Sequence, residues 1–341
     1  MNSSQKKNII YSIVLLGVLG AVWLYRQSQE APVNSSFLAI QGQTMGTAYS
    51  IKYEDEQQRN MKPGVDSLLE QFNQSLNHYL PDSEISRFNR ADSLQFSSPY
   101  FYPVLQRSED VYQASNGAFD PTVAPLVNAW GFGPEGGKLP DSLGVDSLLR
   151  LVGFEKISFD QNQVVKKQPN VQLNFSAVAK GYGVDVVANY LQQRGIKNMM
   201  VEIGGEVVAR GVNPKGEAWR IGIDNPEQPG QMNVAVALVN QAMATSGNYM
   251  NYYEQDGQKY AHTIDPRTGY PVQHSVLSAS VIAADCMTAD AYATAFMVLE
   301  LEETQAILAQ NPTLDAYLIY DDQGTLKTFV TSGIKSSVID L

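Results

Sequence analysis

The feature that most constrains the fold of this 341-residue chain is the irregular order of its strand-like and helix-like segments. Strand-like patterns occur at residues 47–53, 156–159, 163–166, 171–175, 198–203, 219–223, 233–239, 314–320 and 325–330. Helix-like patterns occur at residues 63–76, 99–114, 179–194, 288–299 and 302–310. A doubly wound parallel sheet needs a crossover helix between successive strands, and several of these strands follow one another directly. The order therefore predicts an α+β fold of mixed sheets and helices.

The N-terminal segment predicts a membrane anchor. Residues 9–25 are apolar, small or aromatic apart from Ser12, and Lys6 and Lys7 precede them. This length is at the short end for a membrane-spanning helix, which needs about 20 residues, and the lysines favour an N-terminus left inside. A cleaved signal peptide is the alternative, although no Ala-x-Ala-like site and no cysteine for lipid attachment follow. In either case the body of the protein lies outside the cytoplasm.

These boundaries predict four segments. They are a cytoplasmic N-terminus at residues 1–8, a transmembrane signal anchor at residues 9–25, a polar linker at residues 26–36 and one catalytic domain at residues 37–341. The net charge of −11 argues against a nucleic-acid partner, because phosphate neutralisation requires basic patches. The single cysteine, Cys286, excludes an internal disulfide and is expected to be a small buried residue.

The stretch from Ala261 to Thr294 is the most informative one for chemistry. It begins with Ala-His-Thr-Ile-Asp-Pro-Arg-Thr-Gly, which places His262 beside a turn-forming Asp-Pro sequence. It ends with Asp290 and Thr294, which share one face if the segment is helical. A carboxylate beside a hydroxyl provides the hard oxygen ligands that suit Mg²⁺ and a phosphate substrate.

Four further motifs are also candidates for a site. They are residues 42–47, residues 77–89 with Tyr79 and a capping Asp82 or Ser83, residues 116–133 with two aromatic turns, and residues 173–185 with Lys180 at a helix start. Each also has a structural explanation, respectively a surface turn, a helix cap, an aromatic anchor of the core and a solvated lysine. Taken singly, none of the four identifies a ligand.

Taken together and in order, the motifs resemble those of the ApbE family of flavin transferases over residues 40–335. The matching segments are Thr44-Met-Gly-Thr, Tyr79 with Asp82-Ser-Glu, Gly117-Ala-Phe-Asp-Pro-Thr, Asn128-Ala-Trp-Gly-Phe-Gly, Ala179-Lys-Gly-Tyr, Gly204-Gly-Glu, Thr245-Ser-Gly, His262-x-Ile-Asp-Pro-Arg-Thr-Gly and Ala289-Asp290-x-x-x-Thr294. The resemblance implies an enzyme that uses Mg²⁺, takes FAD, transfers its FMN half to a Thr or Ser of a target protein and releases AMP.

The resemblance also implies roles for individual residues. Mg²⁺ is expected on Asp290, Thr294 and the carbonyl of Ala177, with His262, Asp290 and Lys180 as catalytic residues. FAD is expected along Met45, Tyr79, Ala118, Phe119, Asp120, Asn174, Lys180 and Ile264. Relatives often have Asp at the position of Asn174, so a role there that depends on charge is in doubt. His262 is the expected base for the acceptor hydroxyl, and Asp265 either orients it or simply starts the turn.

Two other functions use the same motifs. One is a Mg²⁺-dependent FAD pyrophosphatase, in which water replaces the acceptor hydroxyl, and the other is an exported flavin-binding protein without catalysis. For a transferase, the resemblance implies acceptors such as exported subunits of NADH:quinone reductase or RNF-type redox complexes, each with a Thr/Ser flavinylation motif. The expected location is the bacterial inner membrane, with the catalytic domain on the periplasmic side.

Overall fold

The computed structural model describes residues 36–133, 140–226, 228–248, 252–255, 258–261 and 263–341. The strands are β1 (Phe37–Thr44), β2 (Thr47–Glu54), β3 (Ser93–Gln95), β4 (Ile157–Phe159), β5 (Gln163–Lys166), β6 (Met199–Ile203), β7 (Glu206–Arg210), β8 (Trp219–Asn225), β9 (Gln228–Leu238), β10 (Gln241–Gly247), β11 (Tyr252–Gln255), β12 (Gln258–Ala261), β13 (Val276–Ala283), β14 (Asp315–Asp322), β15 (Thr325–Val330) and β16 (Val338–Asp340). The α-helices are α1 (Lys62–Leu76), α2 (Glu84–Arg90), α3 (Phe101–Ala114), α4 (Ala124–Ala129), α5 (Ser142–Leu149), α6 (Ala179–Gln192), α7 (Cys286–Val298) and α8 (Leu301–Gln310).

One eight-stranded sheet forms the centre, with the order β1-β2-β6-β7-β10-β13-β14-β15. Every neighbouring pair in it is antiparallel. Three smaller sheets have the orders β16-β9-β8, β3-β5-β4 and β11-β12. Antiparallel sheets combined with helices that lie outside any regular βαβ repeat confirm the predicted α+β fold.

The two faces of the large sheet are both covered, because successive side chains of each strand point to opposite sides. In β14, Leu318 joins the core under the helices, whereas its neighbours Tyr317 and Ile319 pack with Trp219 of β8 on the other face. The protein is therefore built in three layers, with helices, the large sheet and the β8–β9–β16 sheet in that order. The predicted stripe of α1 is confirmed in the same way, since four of its five apolar residues are buried and Leu68 is partly buried.

Helices α6 and α7 meet under the middle of the large sheet. The carboxylate of Asp185 in α6 accepts hydrogen bonds from the backbone N–H groups of Cys286 (2.9 Å) and Met287 (2.8 Å), which begin α7. These N–H groups have no partner inside their own helix, so the side chain of one helix caps the start of the other. Cys286 is buried, as expected from the sequence.

Two sequence predictions need correction. Residues 171–175 are not a strand, because their backbone is bound by a side chain: Asn89 donates to the carbonyl of Leu173 (2.9 Å) and accepts from its N–H (2.8 Å). The helix predicted to begin after Thr288 begins at Cys286, since Asp285 is its N-cap and accepts from the N–H of Thr288.

The predicted anchor at residues 9–25 lies outside the described residues. Among the residues that are described, no helix combines the length and the apolar character that a membrane crossing needs. The boundaries of the anchor, the linker and the catalytic domain stay predictions.

Candidate active site

The contact between α6 and α7 holds the carboxylate that the sequence predicts as a metal ligand. Asp290 is 3% exposed, and its Oδ2 accepts a hydrogen bond of 2.9 Å from the N–H of Gly181 in the first turn of α6. A Cβ at position 181 would lie 2.3 Å from the carbonyl oxygen of Cys286 and 2.7 Å from the Cβ of Asp290. The helices approach this closely only because residue 181 is glycine.

The other two predicted metal ligands lie on the same two elements. Within the described chain no hydrogen bond reaches the carbonyl oxygen of Ala177, because the N–H four residues later, that of Gly181, is taken by Asp290. Thr294 follows Asp290 by one helical turn, so the two side chains share a face of α7. The hydroxyl of Thr294 lies 3.4 Å from that of Ser246 in β10.

Lys180 connects this carboxylate to a second one that the sequence analysis did not assign. Its ammonium group forms an ion pair with Glu206, which is the first residue of β7 and is 2% exposed. Burial alone would lower the pKa of Lys180, but the nearby carboxylates of Asp290 and Glu206 raise it above its ordinary value. The lysine is therefore fully protonated, and one positive charge faces two carboxylates.

The single positive charge of Lys180 cannot neutralise two ionised carboxylates. Burial, and then the charge of Asp290, raise the pKa of Glu206 to about 8, and burial also raises the pKa of Asp290. In addition, the buried Oε2 of Glu206 has no hydrogen-bond partner among the described residues. A buried carboxylate pair whose full ionisation requires more positive charge than Lys180 supplies, beside a free carbonyl and two hydroxyls, fits a hard divalent cation such as Mg²⁺.

This arrangement is not a cage of acidic or imidazole side chains. Among the described residues, no three His, Cys, Asp or Glu side chains group together to hold a metal ion. The predicted ligand set contains only one carboxylate, with a hydroxyl and a carbonyl beside it. Mg²⁺ commonly binds through one or two carboxylates and completes its coordination with substrate phosphates and water.

An open cleft connects Lys180 with two of the predicted flavin contacts, Met45 and Tyr79. It is lined by Met45, Phe72, Asn73, Leu76, Asn77, His78, Tyr79, Ser176, Ala179 and Lys180. Met45 and Gly46 form the turn between β1 and β2, with φ angles of 48° and 73°, as two-residue hairpin turns require. Tyr79 is 60% exposed, and its ring centroid lies 4.3 Å from that of His78. Burial lowers the pKa of His78, which keeps this ring neutral at pH 7.

Three other predicted flavin contacts lie in a buried turn. Ala118 and Phe119 are 1% and 2% exposed and belong to the core. The carboxylate of Asp120 accepts hydrogen bonds from the N–H (2.8 Å) and hydroxyl (2.6 Å) of Thr122. Burial raises the pKa of Asp120 to about 6. The turn is thus committed to the protein itself, since the N–H groups of Ala118 and Phe119 also donate to Ser115.

Asn174 lies next to this turn. Its N–H donates to the carbonyl of Pro121 (2.7 Å), and its side-chain oxygen accepts from the N–H of Ser176 (2.8 Å). The side chain therefore shapes the loop that leads to Ala177 and to the start of α6. This contact needs an acceptor oxygen and no charge, so Asn serves here as well as Asp would.

The last predicted residues lie around the Asp-Pro turn. Ile264 is 5% exposed and packs in a small core with Leu126, Trp130, Val145 and Val152. Asp265 starts the turn, because its carbonyl accepts from the N–H of Gly269 (2.8 Å) and its carboxylate forms an ion pair with Arg267 (3.0 Å). His262 lies outside the described residues, so its role as the base stays a prediction.

The structure thus brings together Asp290, Thr294, Ala177 and Lys180. One cleft is lined by Lys180, Met45 and Tyr79. Sequence reasoning missed the part played by Glu206, although its Gly204-Gly-Glu segment had been noted as a motif. Gly204 has a φ angle of 62°, and a Cβ there would lie 3.4 Å from Cδ of Lys180. A strand followed by two glycines and an acid was the available signal for a turn that delivers a carboxylate to a site.

Comparison with known proteins gives consistent matches over nearly the whole body of the chain. The model of the ApbE family matches residues 45–318. A Vibrio cholerae protein named FAD:protein FMN transferase is 39% identical over 307 residues, which cover 87% of this chain and 91% of the relative. An Escherichia coli K12 protein of the same name is 33% identical over 317 residues, with 88% and 89% covered.

Solved structures agree with these sequence matches. The flavin transferase ApbE from Vibrio cholerae superimposes with a TM-score of 0.81 at 36% identity and covers 88% of this chain and 99% of its own. The flavinyl transferase ApbE of Pseudomonas stutzeri, in its apo form, gives a TM-score of 0.80 at 32% identity, with 88% and 96% covered.

Proposed function

The chain belongs to the ApbE family, and from that premise we propose that it is an FAD:protein FMN transferase. The enzyme attaches the flavin nucleotide part of FAD to an acceptor protein. The finer assignments are that the transfer depends on Mg²⁺, that the bond forms on a Thr or Ser hydroxyl and that AMP is released. One structural observation carries this proposal: a single cleft is lined both by an exposed aromatic ring, Tyr79, and by Lys180, whose ammonium group forms an ion pair with the buried Glu206.

That combination suits a dinucleotide such as FAD. A flat heterocycle is stabilised by stacking on an aromatic ring, and the charge of a diphosphate is stabilised by a lysine, a helix N-terminus and a metal ion. Lys180 stands in the first turn of α6, so its charge and the positive end of the helix dipole act on the same part of a ligand. Asp290, Thr294 and the carbonyl of Ala177 would hold Mg²⁺. When bound, the metal would neutralise charge on the diphosphate oxygens.

The reaction requires one displacement at phosphorus. The acceptor oxygen forms a bond to the FMN-side phosphorus, and the bond from that phosphorus to the AMP oxygen breaks, so AMP leaves with the electron pair. The proton of the acceptor hydroxyl needs a base, and we assign this role to His262, whose ordinary pKa of about 6.5 suits proton transfer near neutral pH. A His262→Ala variant is expected to bind FAD and to transfer little FMN. Transfer at the wild-type rate would require another base.

The proposed activity is tested by incubating the protein with FAD, Mg²⁺ and a purified candidate acceptor domain. Mass spectrometry should find the added mass of FMN, less one water, on one Thr or Ser of the acceptor, and AMP in equal amount. Rapid release of free FMN and AMP without any acceptor would instead favour the pyrophosphatase. Flavin binding with neither product would leave the non-catalytic alternative.

The location of the protein is a separate proposal that rests on the sequence. We infer that residues 9–25 anchor the chain in the bacterial inner membrane and that the catalytic domain faces the periplasm, where exported redox subunits would be its acceptors. Protease added to cells with a permeabilised outer membrane should digest the domain. Full protection, together with recovery in the soluble cytoplasmic fraction, would contradict this proposal.

A further inference from the structure

Glu84 is a buried carboxylate whose contacts reach well beyond the start of its helix. It is the first residue of α2 and is 2% exposed. Its oxygens accept from the hydroxyl of Ser75 (2.6 Å), from the N–H (2.6 Å) and hydroxyl (2.9 Å) of Ser97, and from the N–H (3.2 Å) and hydroxyl of Ser98. One side chain therefore joins the last turn of α1, the start of α2 and the chain after β3.

The carboxylate is held in its charged form by neutral donors. Burial alone would raise the pKa of Glu84, but the hydrogen bonds from the three serines outweigh burial and leave it below its ordinary value. Among the residues that the structure describes, no lysine or arginine forms an ion pair with Glu84. Hydrogen bonds to an ionised group are about twice as strong as neutral ones, so this junction is rigid.

The junction closes the base of the loop that forms one wall of the cleft. This loop, residues 77–83, here called the cleft loop, connects α1 to α2 and carries His78 and Tyr79. Ser75 precedes the loop and Glu84 follows it, so the hydrogen bond between them holds its two ends together. Two residues after Glu84 in α2, the hydroxyl of Ser86 donates to the carbonyl of His78 (3.2 Å).

We propose that Glu84 is a positioning residue, which holds the cleft loop so that the Tyr79 ring is in place for the flavin of FAD. This inference rests on the proposed function, because it takes FAD as the ligand. The hydrophobic contacts of the same helices are separate from the junction, since Phe72, Leu76 and Phe88 are buried in the large core. Loss of the Glu84 charge should therefore move the loop without unfolding the domain.

A double-mutant cycle tests whether Glu84 acts through Tyr79. Glu84→Gln keeps the shape of the side chain, removes its charge and replaces one acceptor oxygen with a donor. In the otherwise wild-type protein, this change should raise the Kd and KM for FAD about threefold and change kcat by less than about twofold. In a Tyr79→Ala background, the same change should alter the Kd for FAD by less than about twofold, because the effect is transmitted by the ring.

Flavin fluorescence gives the Kd independently of turnover. Glu303→Gln is the matched control, because this carboxylate also accepts a backbone N–H at a helix start, that of Glu300 in front of α8, and lines no part of the cleft. It should leave the Kd unchanged. If Glu84→Gln folds poorly, Ser98→Ala removes one donor from the same carboxylate and should raise the Kd in the same direction.

Two outcomes would overturn the inference. One is wild-type FAD affinity in a folded Glu84→Gln protein. The other is an equal effect with and without Tyr79, which would mean that Glu84 supports the fold in general. A wild-type protein that binds no FAD would contradict the proposed function and this inference with it, whereas the first two outcomes contradict the inference alone.

Discussion

The two ends of the candidate site differ in how they are built. The metal end lies between two helices and a strand, where Asp290 and Glu206 are 3% and 2% exposed. The flavin end consists of the β1–β2 turn and the cleft loop, where Tyr79 is 60% exposed. The metal end is held by the ion pair of Lys180 with Glu206 and by the close approach of two helix backbones, and the flavin end is held by hydrogen bonds at the base of a loop.

This difference separates chemistry from recognition. Groups that must stabilise charge in a transition state work best when they are fixed before the substrate arrives, and buried helices provide such fixed positions. A ring that only has to cover a ligand can stand on a surface loop at little cost to stability. Substitutions at the metal end should therefore affect rate and stability together, whereas those at the flavin end should affect affinity.

The largest effect is expected for Asp290→Ala. Loss of this carboxylate should lower Mg²⁺-dependent transfer about a hundredfold or more, since a bound metal ion contributes several kcal/mol to transition-state stabilisation. The protein should still fold, because removal of a buried anion leaves the apolar contacts of α7 in place. The transfer rate is measured on an acceptor domain by mass spectrometry, and folding is measured by circular dichroism.

Asp141→Asn is a suitable control for this substitution. Asp141 is an exposed carboxylate that caps α5 by accepting from the N–H of Gly144 (2.8 Å). Its substitution should have no effect on transfer. Full activity of Asp290→Ala would remove the metal role from this residue. It would also leave the buried carboxylate pair without a chemical function.

The next largest effect separates two glycines of the same helix. Gly181→Ala forces a Cβ against the backbone of Cys286 and should cost about 1–3 kcal/mol of stability, with a loss of transfer because Asp290 must shift. In Gly183→Ala the new Cβ would lie 2.7 Å from the terminal methyl group of Met45, the end of a flexible side chain. This variant should keep its stability and kcat and bind FAD more weakly.

Thermal unfolding and steady-state kinetics distinguish these two results. Equal loss of stability in both variants would show that an added Cβ destabilises α6 to the same extent at both positions. The contrast between a rigid metal end and an adaptable flavin end would then be wrong for this helix.

A third effect is expected in the dependence of stability on pH. Because the pKa of Glu206 is raised from its ordinary 4.5 to about 8, its contribution to stability is fully present below pH 4.5 and is lost as the pH rises through 8. Without metal, the wild-type stability should therefore fall by about 4 kcal/mol between pH 5 and pH 8, which lowers the Tm by about 10 °C at about 3 °C for each kcal/mol. Glu206→Gln cannot ionise and should flatten this part of the curve.

Glu202→Gln is the matched control for the pH experiment. Glu202 lies nearby in β6, is partly exposed and accepts from the N–H of Gly205 (2.8 Å). Its substitution should leave the slope of Tm against pH as in the wild type. An unchanged slope in Glu206→Gln would mean that another group titrates at the metal end.

The sequence predicts local features of this molecule well and long-range ones poorly. The helical spacing of Asp290 and Thr294 and the cap at Ser83 depend only on neighbouring residues, and the structure contains both. The pairing of Lys180 with Glu206 joins residues from two different elements, and no periodicity reports it. Residues 171–175 show the limit most clearly. Val171, Leu173 and Phe175 alternate like a strand and are buried like one, but Asn89 binds the backbone where a neighbouring strand would have been.

The smallest effect in this comparison is expected for Tyr79→Ala. Removal of an exposed ring that lines the cleft should raise the KM for FAD about three- to tenfold, since an aromatic contact contributes about 0.5–1.5 kcal/mol beyond its buried area. The value of kcat should stay within about twofold, because no charged group of the metal end is touched. Tyr79→Phe keeps the ring and should match the wild type, which separates stacking from hydrogen bonding by the hydroxyl. A fall in kcat without a change in KM would mean that the loop takes part in the chemistry. The assignment of rate to the metal end and of affinity to the flavin end would then be wrong for Tyr79.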